Sequence, residues 1–257
     1  MEKEVIQNRK RQNIVVIVEE IENQKGLAFV MHGLGGFKEQ PYIQTIAESF
    51  KEKGYTVVRF DTTNSIGESD GKLELATVTN YYKDLEDVIR WAQKQKWYKE
   101  PFYLAGHSLG GFCISWYAIN HPEKVKAIAP ISSFISGEIF LETLKTKESI
   151  EDWEKHGYRE WESLSKPGLI KRLNWSFAND SLEYDLLAAV GEIKVPVLIV
   201  VGDQDTDTRL ENLKILYEKI ATKKEFHVIK GAPHTFTEES HLREIKESFL
   251  NWIDSFL

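Results

Sequence analysis

One cysteine, Cys113, is all that the chain carries, so no intramolecular disulfide can form and nothing asks for an oxidising compartment. It reads as a small buried residue on a helix. No run approaches the roughly 20 consecutive apolar residues of a membrane-spanning helix. The opening Met1-Glu2-Lys3-Glu4 mixes charges with no apolar run behind it, which is the wrong form for a secretory signal. A cytoplasmic protein is therefore expected. Positive charge is not in excess: 33 Lys and Arg stand against 40 Asp and Glu, a net charge of -7. Nucleic acid and anionic membrane need clustered Lys and Arg, so neither is expected as a partner. Internal repeats and low-complexity tracts are missing as well.

What is present is an ordinary globular composition, 42% hydrophobic and 28% charged, in 257 residues. That length suits one large domain, or one domain with an insertion. Short β-branched or aromatic runs at 14–18, 27–31, 56–60, 102–105, 127–131, 197–201 and 225–229 fit strands. Amphipathic stretches at 42–53, 81–95, 109–120, 210–221 and 242–256 fit helices between them. Alternation of this kind predicts an α/β protein with a mostly parallel sheet covered on both faces. Ligands then bind outside the carboxyl ends of the strands. The stretch 134–193 is too long for a plain connection. It reads as an inserted, mainly helical cap, leaving 1–133 and 194–257 as the core domain.

The strongest motif is Gly106-His107-Ser108-Leu109-Gly110-Gly111, which follows one predicted strand and opens a helix. It is G-x-S-x-G in its required context: a sharp turn strains the serine and exposes its hydroxyl, and the flanking glycines let strand and helix crowd together. The helix start also offers free N–H groups and positive dipole where an oxyanion would form, with Leu109 N–H the first donor. Upstream, Met31-His32-Gly33-Leu34-Gly35-Gly36 follows another strand, and its Leu34 N–H is assigned as the second donor.

A serine hydroxyl needs a base, and the base needs a third group to hold it. Of seven histidines, His234 stands in a Gly-Pro turn directly after the strand 225–229. His32 and His107 belong to the glycine motifs, and the other four lie in helical, cap or strand contexts. For the acid, Asp203, Asp205 and Asp207 follow the strand 197–201. Asp205 is chosen because a turned loop can carry it to the histidine. Asp203 suits capping N–H groups of that turn, and Asp207 suits capping the helix near Leu210. The order Ser108, Asp205, His234 excludes the chymotrypsin and subtilisin arrangements.

With these residues in hand, the chain resembles the α/β-hydrolase superfamily. More narrowly it resembles the bacterial carboxylesterase, acylglycerol-lipase and serine-aminopeptidase-like branch. The two glycine motifs look like that branch's oxyanion loop and nucleophile elbow, and 202–205 and 231–234 look like its acid and histidine loops. Arg59-Phe60-Asp61 is similar to the branch's next loop, although Thr62-Thr63-Asn64-Ser65-Ile66 stands where Arg-Gly-x-Gly is more usual. The 134–193 stretch looks like the lid of cinnamoyl and feruloyl esterases. The resemblance implies cleavage of small to medium carboxylic esters through an acyl-enzyme, without metal or organic cofactor, by a monomer or homodimer. Peptidase and lipase activities stay open, as does a hydrolase-fold protein that only binds ligand. Trp153, Trp161, Trp175 and Phe177 are candidates to line the substrate pocket or to form the cap's own core.

Overall fold

The computed structural model describes residues 2–256. An antiparallel hairpin of β1 (Glu2–Gln7) and β2 (Asn13–Glu19) comes first. Strands and helices then alternate through β3 (Gly26–Met31), α1 (Pro41–Glu52), β4 (Tyr55–Phe60), α2 (Val78–Ala92), β5 (Phe102–His107), α3 (Leu109–Asn120) and β6 (Val125–Ile131). A long excursion follows. It holds α4 (Gly137–Lys145), α5 (Ile150–His156), an antiparallel hairpin of β7 (Tyr158–Glu162) and β8 (Ile170–Asn174), α6 (Ser176–Ser181) and α7 (Leu186–Ala189). The chain returns as β9 (Val197–Gly202), α8 (Leu210–Lys219), β10 (Lys224–Ile229) and α9 (Glu239–Asp254).

The main sheet has the order β1-β2-β4-β3-β5-β6-β9-β10, and β2 alone runs against the rest. Its central strands are buried on both faces, so apolar residues sit at every position and sort by period two. In β3, Leu27, Phe29 and Met31 enter one core layer with α2, α3 and α8, while Ala28 and Val30 enter the other with α1 and α9. In β9, Val197, Ile199 and Val201 divide from Leu198 and Val200 in the same way.

The seven strands read from sequence are all present, each within two residues of its expected bounds. The excursion is mainly helical as read, and it adds the unforeseen β7–β8 hairpin. Its Trp153, Leu173 and Phe177 continue the α2/α3 core layer, so the segment is packed against the sheet domain. Serines start its helices: Ser136 and Ser149 accept N–H bonds from Ile139 and Asp152.

Candidate active site

The order of strands decides where a site can form. From β3 the chain moves to β4 on one side and then crosses back to β5 on the other, so the loops after β3 and β5 diverge from adjacent strands. That is the switch point at which open α/β sheets bind ligands. The loop after β3 is Gly33 to Gly36, and the turn after β5 is Ser108.

Ser108 sits at φ 53°, ψ -119°, a strained conformation for a residue with a side chain. The crowding predicted for the elbow is there: a Cβ on Gly106 would meet Gly110 O at 2.5 Å, and one on Gly110 would meet His32 O at 2.5 Å. A Cβ on Gly33 would lie 2.8 Å from Ser108 Cβ, so the glycine loop rests directly against the serine. Two side chains fix that loop. His32 Nδ1–H donates to Gly33 O at 2.8 Å while its Nε2 accepts from Thr62 N–H at 3.0 Å, which sets one tautomer. Tyr81 Oη accepts from Gly35 N–H at 3.2 Å. Burial keeps His32 below the ordinary histidine range, despite the attraction of Asp61.

The loops after β9 and β10 supply a charged pair. Asp205 Oδ2 lies 2.9 Å from His234 Nδ1 and accepts from Thr208 Oγ1 at 2.8 Å; Oδ1 accepts the N–H groups of Asp207 and Thr208, each at 2.9 Å. Burial opposes ionisation of Asp205, but His234 and these donors outweigh it and hold the carboxyl far below its usual range. Burial also opposes the imidazolium of His234, and the adjacent Asp205 again prevails and raises it. With Nδ1–H committed to Asp205, Nε2 is the free nitrogen. The His234 side chain is 17% exposed and lines the same cavity as Ser108. Among the described residues nothing hydrogen-bonds the Ser108 hydroxyl. Asp203 accepts from Gly231 N–H at 2.7 Å and so ties the two loops together. Asp207 does not cap α8, whose first flanking residue is Arg209 without a side-chain cap; it turns instead to Lys147 at the cavity wall. Its own N–H is held by Asp205.

The cavity has a volume of about 290 Å³ and lies between these loops and the 134–193 segment. Leu34 and Leu109 line it, as do Trp161 and Phe177. Trp153 and Trp175 do not: their rings meet edge to face at 5.1 Å, and Trp153 Nε1–H donates to Leu173 O at 3.1 Å, inside the segment's own core. The apolar wall comes largely from Phe134, Ile135, Ile139, Phe140 and Leu144, at and after the end of β6, which no motif marks. Sequence reasoning also missed His107 as more than a motif residue. Its Nε2–H donates to His234 O at 2.7 Å and its ring lies 4.6 Å from that of His234. Burial and then the neighbouring His234 push it down to about 3, so it stays neutral. Where the loop after β4 departs from the usual glycines, Asn64 takes φ 58° and anchors itself to Asn80 at 2.6 Å.

The family model for the α/β-hydrolase fold matches residues 29–158. A mitochondrial palmitoyl-protein thioesterase, ABHD10, of Bos taurus is 24% identical over 210 residues, 81% of this chain and 67% of that protein. Est1E from Butyrivibrio proteoclasticus, solved with ferulic acid bound, superposes with a TM-score of 0.82 at 22% identity over 98% of both chains. Mouse ABHD10 superposes with a TM-score of 0.81 at 20% identity over the whole of both chains. Matched over half its length by the family model, and carrying the sheet and elbow on which that fold is built, the chain belongs to the α/β-hydrolase family.

Proposed function

We propose that the protein is a serine hydrolase that cleaves carboxylic esters of small to medium size through an acyl-enzyme, with Ser108 as nucleophile, His234 as base and Asp205 as its orienting acid. One observation carries this: a strained serine opens into the same cavity as a histidine whose other nitrogen is held 2.9 Å from a buried carboxylate. His234 Nε2 takes the hydroxyl proton as Ser108 Oγ attacks the carbonyl carbon. The resulting oxyanion rests on Leu34 and Leu109 N–H groups. Collapse expels the alcohol, which receives the proton from His234, and a water activated by the same nitrogen then releases the acid. Asp205 fixes the tautomer throughout and stabilises the imidazolium. The 134–193 segment acts as the cap, with Trp161 and Phe177 against the substrate. A relative named as a palmitoyl-protein thioesterase and a similar structure solved with ferulic acid, a carboxylic acid, bound support acyl transfer to water, and the same steps serve a thioester with a thiol as leaving group.

A fluorophosphonate probe and a series of 4-nitrophenyl esters from acetate to palmitate, beside methyl ferulate, test the reading. Wild type is expected to be labelled at Ser108 and to turn over at least one ester. Ser108→Ala is expected to lose labelling and about 10⁴-fold or more in rate. Folded wild type that takes no label would sink the proposal in favour of a ligand-binding protein.

A further inference from the structure

The cavity is walled by three cations, and two of them already have a carboxylate beside them. Lys147 pairs with Asp207 and donates to Thr206 Oγ1 at 3.1 Å. Arg159 Nε lies 2.9 Å from Glu148, with the guanidinium 4.7 Å over the Trp161 ring. The third is Lys171. Among the described residues no carboxylate lies within 4.0 Å of its ammonium and nothing accepts a hydrogen bond from it. Glu162, also on the cavity wall, is turned away to accept Gly168 N–H at 3.0 Å.

The fold aims Lys171 inward. In β7 and β8 the residues alternate, with Arg159, Trp161, Lys171 and Leu173 towards the protein and Tyr158, Glu160, Ile170 and Arg172 towards solvent. Lys171 stands opposite Trp161 in the ladder. Its Nζ reaches the glycine loop, where a Cβ on Gly35 would lie 3.3 Å away. A half-buried ammonium without a partner is unfavourable, and natural cavities keep charges by pairing them. Burial and then the ammonium of Lys166 push Lys171 down to about 8, so it still carries its charge at neutral pH.

We propose that Lys171 forms an anion-binding subsite and that the preferred ester substrates carry a carboxylate on the part that lies under the β7–β8 hairpin. The inference rests on the esterase reading above. It makes the cation of the hairpin a specificity-determining residue, choosing which ester reaches the serine.

Two substrate pairs test it and separate the acyl side from the alcohol side: 4-nitrophenyl butyrate against mono-(4-nitrophenyl) glutarate, and phenyl acetate against 4-carboxyphenyl acetate. The readout is the ratio of kcat/KM, anionic over neutral, in wild type, Lys171→Met, Lys171→Gln and Lys171→Arg. In at least one pair the ratio is expected to fall about tenfold or more in the Met and Gln variants, the effect of one charge-assisted hydrogen bond, and to be largely kept in Lys171→Arg. Intrinsic reactivity of the esters cancels in this comparison. Ratios that stay within about twofold in both pairs overturn the subsite, including the case where Lys171→Met slows both members equally, which would assign the lysine to structure or to the reacting centre. Wild type that hydrolyses no ester and takes no fluorophosphonate overturns the function and the subsite together, whereas turnover with unmoved ratios overturns the subsite alone.

Discussion

A single proton on His234 Nδ1 fixes what the opposite nitrogen can do. Because Asp205 raises His234 above the ordinary histidine value, the base is neutral only at higher pH, and kcat/KM is expected to fall as pH drops through that raised pKa. Asp205→Asn removes the chief stabiliser of the imidazolium. Its plateau is expected about 10⁴-fold lower and its acidic limb displaced to lower pH, read from a pH profile of kcat/KM. A limb that does not move would mean that Asp205 does not tune the base. The elbow makes a separate claim about a residue with no side chain. Gly110→Ala sets a methyl against the backbone oxygens of His32 and Met31, so Tm is expected to drop by about 5 °C or more in a thermal melt. Both positions were readable in sequence, because glycine spacing and a post-strand histidine are local signals. Lys171 was not, since a lysine among Ile170, Lys171 and Arg172 looks like any charged surface run until the pairing partner across the hairpin is known.

The elements that escaped the sequence share one physical trait, a lack of clean apolar alternation. Strand β1 is Glu-Lys-Glu-Val-Ile-Gln at the sheet edge with only Ile6 buried, and the hairpin strands Tyr158–Glu162 and Ile170–Asn174 carry charge on both faces. Tertiary contacts hold them in place: Arg9, in the turn after β1, pairs with Asp87, and Arg159 of β7 lies over two tryptophans. Trp153 on α5 and Trp161 on β7 separate two roles that composition alone left equal. Trp153→Ala, deep in the segment's core, is expected to cost about 3–5 kcal/mol, seen as a lowered denaturation midpoint. Trp161→Ala, on the cavity wall, is expected to change relative rates along the acyl-chain series with a much smaller loss of stability. Equal destabilisation by both would return Trp161 to the core.

At the scale of the whole molecule, two buried histidines make the fold sensitive to acid. His32 and His107 are held neutral by burial, His107 at about 3, while the unfolded chain takes up their protons near pH 6.5. A lowered folded-state pKa gives stability that is complete above the unfolded value and is lost as pH falls below it. His234, raised instead, works in the opposite sense over its own range, so the variant comparison is the cleaner measure. Wild type is expected to lose Tm more steeply than His107→Gln between pH 6.5 and 3, at constant ionic strength; parallel curves would contradict a neutral buried His107. The two sets of loops also come from separable lengths of chain. The stretch that roofs the cavity leaves the sheet after β6 and returns at β9, and these strands are immediate neighbours, paired at Ile128 with Val197 and Ile131 with Val200. Its two ends are thus clamped side by side by a register that exists whatever lies between them. Such an arrangement makes the roof an exchangeable cassette. Grafting the corresponding stretch from a relative across the β6 and β9 junctions is expected to change selectivity while leaving Ser108, Asp205 and His234 on their own scaffold.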